Sequence, residues 1–194
     1  MRLTVVNHLT LDGVMQAPAA ADEDARSGFA YGGWAAANVD PVMNRVLGER
    51  MSGGGGALLL GRRTYEQFYG YWPEQKDNPF TEVLDNTQKY VASTTLKEPL
   101  PWQNSTLLAG DAVEAVAALK EQQDTDATIL GSGVLIQSLM PRDLIDEFLL
   151  MIHPVVLGSG RRLFTDGGAF AALRLVDTTT TTTTGVVIAR YEHA

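Results

Sequence analysis

A chain of 194 residues that is 45% apolar can bury a sizeable core in one domain of ordinary size, so a single domain over 1–194 is expected. It has no cysteine, which excludes disulfides, thiolate nucleophiles and Cys-ligated zinc or iron–sulfur centres; its three histidines, His8, His153 and His193, are too scattered in sequence to suggest a metal site. A formal net charge of −8 disfavours general affinity for nucleic acid or an anionic membrane, so basic residues must act locally.

Met1-Arg2-Leu3-Thr4-Val5-Val6 enters a strand pattern directly, without the apolar core and small-residue cleavage site of a signal peptide, and no apolar run approaches a membrane span. A cytoplasmic protein is the expectation. Residues 3–9 read as the first strand, and Asp12-Gly13-Val14-Met15-Gln16-Ala17-Pro18 opens a loop reaching about Trp34. Loops of that length are usually functional or mobile. Asp40-Pro41 has the form of an N-cap followed by proline at the first helical position, and Val39, Val42, Met43, Val46 and Leu47 supply the apolar stripe of a helix to about Arg50. Gly53 to Gly56 precede a strand rather than a helix and lack a following Gly-Lys-Ser/Thr, so they read as a flexible connector instead of a phosphate loop.

Ala57–Leu60 is a short buried strand that turns at Gly61 into a helix beginning near Arg63. Pro73 and Pro79 punctuate the next stretch, with a short helix at Phe80–Leu84. Lys89–Ala92 is a strand ending at Ser93-Thr94-Thr95, and Thr106–Leu108 a short one after the turn at Pro99 and Pro101. Asp111, with Glu114 three positions on, starts a helix to about Gln122. Ala127–Leu130 is a strand, Val134–Leu139 a helix closed by Pro141, and Ile145–Val156 a long strand candidate broken by Pro154. Leu173–Thr183 and Val186–Tyr191, flanking Gly185, suggest a terminal antiparallel hairpin, and the threonine run Thr178–Thr184 suits a half-exposed strand. Strands alternating with helices and then a hairpin predict a three-layer α/β sandwich around a mixed, mostly parallel sheet.

Three turns follow apolar strands in this pattern. Gly61 permits a tight turn, Arg62 and Arg63 bring fixed positive charge, and Thr64 offers a hydroxyl near a helix N-terminus, a combination suited to phosphate. The same residues can also be a plain turn with solvated arginines. Ser93 and Thr94 place hydroxyls at a second strand end, where they could meet phosphate or ribose or merely cap a turn. Gly131-Ser132-Gly133-Val134-Leu135 follows a buried strand and starts a helix, so its backbone can approach a pyrophosphate; without a third glycine it is not the full dinucleotide fingerprint, and a tight strand-to-helix turn with no ligand stays open.

Taken in order, Leu60-Gly61-Arg62-Arg63-Thr64-Tyr65-Glu66, Ala92-Ser93-Thr94, Ile129-Leu130-Gly131-Ser132-Gly133 and Pro154-Val155-Val156-Leu157-Gly158-Ser159-Gly160-Arg161-Arg162-Leu163-Phe164 resemble the dihydrofolate-reductase-like superfamily. The nearest resemblance is to the C-terminal reductase domain of the bifunctional riboflavin-biosynthesis deaminase/reductase and its stand-alone relatives. It spans nearly the whole chain. The resemblance implies NADPH as hydride donor, with Gly61, Arg62, Arg63, Thr64, Ser93 and Thr94 on the adenosine-phosphate side and Gly131, Ser132, Gly133, Val134 and Leu135 at the pyrophosphate. Gly131-Ser132 stands where dihydrofolate reductases have paired glycines, often joined by a cis peptide.

Thr10-Leu11-Asp12-Gly13 is similar to the family's Ser-Leu-Asp-Gly segment beside nicotinamide and substrate, which makes Asp12 and Gly13 substrate-side candidates and Asp12 a catalytic one, able to bind a ribose hydroxyl or orient a proton-donating water. An Asp-Gly turn explains them equally. Asp40 falls roughly where folate reductases carry the acid that binds the pterin, although its N-cap role accounts for it as well. Trp34, Tyr65 and Trp72 could line a pocket for a flat heterocycle or be simple packing. His153 is expected at a strand end, pointing at solvent or a neighbouring subunit, and Arg161 and Arg162 on the surface. The resemblance thus implies a cytoplasmic NADPH-dependent reductase of a small heterocycle, either the ribosylamino-uracil intermediate of riboflavin synthesis or a pterin, in a possible homodimer. The rival is a nucleotide-binding sensor or partner protein without turnover.

Overall fold

The computed structural model describes residues 1–52, 56–181 and 183–194. In chain order it contains β1 (Leu3–Thr10), α1 (Pro41–Ser52), β2 (Ala57–Gly61), α2 (Arg62–Tyr71), α3 (Pro79–Asn86), β3 (Lys89–Ser93), β4 (Ser105–Ala109), α4 (Ala112–Gln122), β5 (Ala127–Leu130), α5 (Gly133–Leu139), β6 (Glu147–His153), β7 (Leu173–Thr180) and β8 (Val187–His193), with single 3-10 turns between several of them. The strands form one eight-stranded sheet in the order β4-β3-β2-β5-β1-β6-β8-β7. Every pair from β4 to β6 is parallel, whereas β8 runs antiparallel to both β6 and β7. The three-layer α/β expectation therefore matches the structure, including the C-terminal hairpin. The connector expected at Gly53–Gly56 lies, apart from Gly56, outside the described residues.

Alternation along the strands sends side chains to two helical layers. Leu3, Val5 and Leu9 of β1 join Val116 of α4 and Leu135, Ile136 and Leu139 of α5 in the core on one face. On the other face Val6 packs with Met43 of α1 and Ile188 of β8, while Leu58 and Leu60 of β2 pack with Tyr65 of α2, Leu84 of α3 and Trp102. The two clusters on that second face are distinct, and Leu130 of β5 borders both. A trough over β5 and β1 is left between α1 and the α2–α3 pair.

Three boundaries differ from sequence expectation for local reasons. β6 stops at His153 because Pro154 has no N–H for the ladder. β7 ends at Thr180 because Thr181 turns the chain: its N–H donates to Val186 O at 2.9 Å, and its Oγ1 accepts from Val186 N at 2.8 Å. α3 extends to Pro79–Asn86 because Asn78 Oδ1 accepts from Phe80 N at 3.0 Å, capping a helix whose proline occupies the first turn. Asp40 likewise caps α1, accepting from Val42 N at 2.8 Å.

Candidate functional site

The carboxyl ends of the parallel strands all lie at one edge, and the order β3-β2-β5-β1 makes their four exit turns neighbours. They border a cleft of about 1550 Å³ that continues into the trough beside α1. Gly61–Thr64, Ser93–Thr94 and Gly131–Leu135 all line it. Their convergence is fixed by direct bonds: Ser132 Oγ accepts from Gly61 N at 2.9 Å, Thr64 Oγ1 accepts from Ser132 N at 3.1 Å, and Asn7 Nδ2 donates to Gly131 O at 3.0 Å. Gly131 and Ser132 are both left-handed, with φ of 56° and 53°, and the peptide between them is trans. A Cβ on Gly131 would stand 3.2 Å from Thr64 Oγ1, so glycine is what lets the two turns close on each other.

The helices divide by how they begin. Side-chain oxygens cap α1, α3 and α4, through Asp40, Asn78 and Asp111. Neither α2 nor α5, the two that start at the shared turns, has a side-chain cap. Their first amides have no intrahelical acceptor, and for the ten-residue α2 they carry the positive end of the helix dipole. At the same end Arg62 pairs with Glu66 at 3.2 Å, while exposed Arg63 enters no ion pair among the described residues. Ser93 differs from Thr94 in availability: its Oγ already accepts from Thr95 N at 3.1 Å and Leu96 N at 3.0 Å, whereas Thr94 is exposed. The arrangement can hold an elongated anion with local positive charge at the α2 end.

Residues 2–188 match the model of the RibD C-terminal domain. The chain belongs to the RibD C-terminal domain family. A further relative is the uncharacterised protein YyaP of Bacillus subtilis (strain 168), 35% identical over 127 residues. That match takes in 62% of this chain and 65% of YyaP, so the alignment spans less than two thirds of the relative's length. Among solved structures, a protein from Shewanella sp. PV-4 provisionally assigned to riboflavin biosynthesis superposes with a TM-score of 0.73 at 22% identity, covering 100% of this chain and 99% of that one. Dihydrofolate reductase from Enterococcus faecalis, solved with NADP(H), gives 0.63 at 14% identity, covering 99% and 96%. The RibD C-terminal domain fold of this chain is dihydrofolate-reductase-like.

Within this RibD C-terminal domain the substrate-side candidates occupy different places from the cradle. Asp12 is a clasp: Oδ1 accepts from Thr10 Oγ1 at 2.6 Å and Leu157 N at 3.2 Å, and Oδ2 from Gly158 N at 2.9 Å and Arg162 Nη2 at 3.4 Å. The Thr10 hydroxyl and then the two amides hold its carboxyl down to about 2, against the opposing effect of desolvation. Asp12 and Gly13 tie the loop after β1 to the loop after β6, with Leu163 N donating to Gly13 O at 3.1 Å. Asp40 is buried and, besides capping α1, accepts from Thr183 Oγ1 of the β7–β8 turn. None of Asp12, Gly13, Trp34 and Asp40 lines the cleft. Trp72 does; Tyr65 is core, its hydroxyl accepting from Trp102 N at 3.0 Å.

His153 corrects an expectation. It is fully buried rather than turned to solvent, because Trp34 covers it edge-on with ring centroids 5.3 Å apart. Its Nε2 lies 2.9 Å from Nδ1 of His8, and burial lowers its pKa to about 4. His8, half-buried and lining the cleft, is also lowered to about 4, by burial and then by the charge of His153. Sequence reading missed this pair because 145 residues separate its members. The available signal was that both sit near the carboxyl ends of strands that prove to be adjacent. Arg161 and Arg162 are exposed, as expected, and both border the cleft, with Arg162 also bonded to Asp12.

Proposed function

We propose that this chain is an NADPH-dependent reductase that transfers hydride to an electron-poor C=N or C=O of a small heterocycle. The observation supporting it is the shared cleft of three strand-end turns whose two helices lack side-chain caps, continuous with the trough beside α1. The donor set fits a dinucleotide phosphate: the uncapped amides at the starts of α2 and α5, Arg63, which is in no ion pair among the described residues, and the Thr94 hydroxyl suit anionic oxygens. Gly131 and Gly133 let Thr64 and Met15 pack against the β5–α5 turn, which sets its backbone at the edge of the cleft. In this reading Arg62, Arg63, Thr64, Ser93 and Thr94 hold the adenosine-phosphate side, with Ser93 acting by shaping the turn, and Gly131–Leu135 hold the pyrophosphate. The cofactor supplies the hydride.

This chain's own contribution is orientation and exclusion of water. The trough floor, Val6, His8 and Leu130, and its α1 wall, Asn44 and Leu47, give a mostly apolar slot with few polar groups, as a flat ring requires. A ribosylaminopyrimidine such as 5-amino-6-(5-phosphoribosylamino)uracil, or a pterin, is the substrate class, and a cytoplasmic homodimer completes the reading.

The test is fluorescence titration of NADPH and NADH, followed by absorbance at the reduced-nicotinamide band with a panel of pterins and pyrimidines. Arg63→Ala should weaken NADPH by roughly tenfold or more and NADH far less, since only NADPH carries the 2′-phosphate. Arg62→Ala should do less, its guanidinium being shared with Glu66. Equal losses for both nucleotides would refute the phosphate assignment. Binding without oxidation across the panel would turn the reading toward a nucleotide sensor.

A further inference from the structure

We infer that His8 is the proton donor of this reduction and that His153 is the positioning residue behind it, an assignment that rests on reading the cleft as a reductase site. β1 and β6 are parallel neighbours with Thr10 opposite His153 and His8 opposite Met151, which brings the two imidazoles together diagonally across the pair. Ring centroids are 5.1 Å apart at an interplanar angle of 43°, and one nitrogen of each ring forms the 2.9 Å contact. The remaining nitrogens face opposite fates. Among the described residues His153 Nδ1 is buried with no partner, while His8 Nε2 has none either without being sealed off, on a residue that lines the trough.

As packing, this is an expensive choice. An aliphatic side chain would fill the position of His153 without an orphaned polar nitrogen, whose burial without a partner is destabilising. The cost becomes intelligible if the buried ring serves to aim the accessible one. His153 Nε2 fixes the plane of His8 and leaves its Nε2 directed at the trough, the position from which a donor can reach a ring heteroatom.

The rival acids are placed worse. Asp12 is fully engaged and outside the cleft, and Asp111 accepts from Val113 N and Glu114 N at the start of α4. Glu23 lines the cleft, but its Oε2 accepts from Ala19 N at 2.7 Å within the loop after β1; of the other lining carboxylates, Asp24 is paired with Arg26, and Asp22 and Asp166 are exposed to solvent. The titratable groups on the elements packed around His8 are His153 and Glu147 on β6, Arg45, Glu49 and Arg50 on α1 with Asp40 at its cap, and Asp12 beyond Thr10 of β1; of these only His153 contributes to the shift of His8. Arg50 is drawn to Thr4 Oγ1 and to Glu147.

Hydride adds to the carbon of the C=N or C=O, the π pair moves to the heteroatom, and that atom takes the proton as the His8 Nε2–H bond breaks. His8 keeps one proton, on Nδ1, donated to His153 Nε2. Water entering by the trough restores the proton given up.

The test pairs NMR titration of the imidazoles in the full chain with pH–rate profiles of NADPH oxidation over the pterin and pyrimidine panel. Both rings should titrate near pH 4, and His153→Gln should move the His8 midpoint upward as the neighbouring charge is lost. The rate should fall about tenfold per pH unit above that midpoint. His8→Gln should remove this limb and lower kcat by about a hundredfold or more with NADPH quenching intact. His153→Gln should shift the midpoint without changing KM. Independent titration of the two rings near 6.5, an unaltered limb in His8→Gln, or loss of the limb in Glu23→Gln would overturn the assignment. So would a panel in which NADPH binds and nothing is reduced, an outcome that leaves the cofactor site standing. Failure of NADPH itself to bind would instead remove the reductase reading.

Discussion

An imidazole that is harder to protonate in the folded chain than in the unfolded one makes stability fall with acid over a defined window. For His153, unfolded near 6.5 and folded near 4, the unfolded state binds the extra proton first, so stability declines from pH 6.5 to about 4 and is constant below. A shift of this size corresponds to roughly 3 kcal/mol for the fully buried ring. Asp12 acts lower down: its stabilisation is complete above 3.8 and disappears as pH falls through 2. Urea unfolding of wild type and His153→Gln at half-unit steps should show the variant with a flatter slope between pH 6.5 and 4. The same slope in both chains would mean that burial of this ring is not the cause.

At the scale of elements, the contact between the start of α2 and the β5–α5 turn decides whether the cradle keeps its shape. Thr64 and Ser132 each supply an oxygen to a backbone amide of the other's turn, so both substitutions strand an N–H. Thr64→Val and Ser132→Ala should each cost about 1–3 kcal/mol. A double-mutant cycle should show coupling of about 0.5 kcal/mol or more, since the turns share one packing arrangement. Strict additivity would show that the two bonds act independently. The turns themselves were legible, because Gly61, Ser93 and Gly131 follow short apolar runs that only buried parallel strands explain. What those residues touch was not. The sequence offers Asp12 as a turn residue or a site carboxylate and Asp40 as an N-cap or a substrate acid, and only the fold shows the first clasping Leu157, Gly158 and Arg162 and the second also holding Thr183. Lys89, read as an ordinary strand residue, is fully buried, its Nζ donating to Leu84 O at 2.6 Å and Thr87 O at 2.7 Å beyond the end of α3.

For the whole molecule, strand order is the property that local pattern does not encode. Periodicity gives strand existence and type, but β1 sits between β5 and β6 because of long-range burial, and that adjacency alone unites His8 with His153 and the loop after β1 with the loop after β6. The two loops are zipped by Leu11 N to Val155 O at 2.8 Å and Met15 N to Arg161 O at 2.9 Å, with the Asp12 carboxylate at their junction. This zipper carries Met15 against Gly133, where a Cβ would stand 2.5 Å from the Met15 sulfur, so its order reaches the cradle. Asp12→Asn keeps the side chain's shape and removes its charge, weakening bonds worth about 1.5–3 kcal/mol when charge-assisted. If the carboxylate is a local clasp, amide exchange at Leu11, Met15 and Leu163 should accelerate roughly ten- to a hundredfold, one decade per about 1.4 kcal/mol, while the β2, β3 and β5 amides exchange as before. Equal acceleration throughout the sheet would show that Asp12 stabilises the fold as a unit, and the two loops would then have no separate opening for a ligand to use.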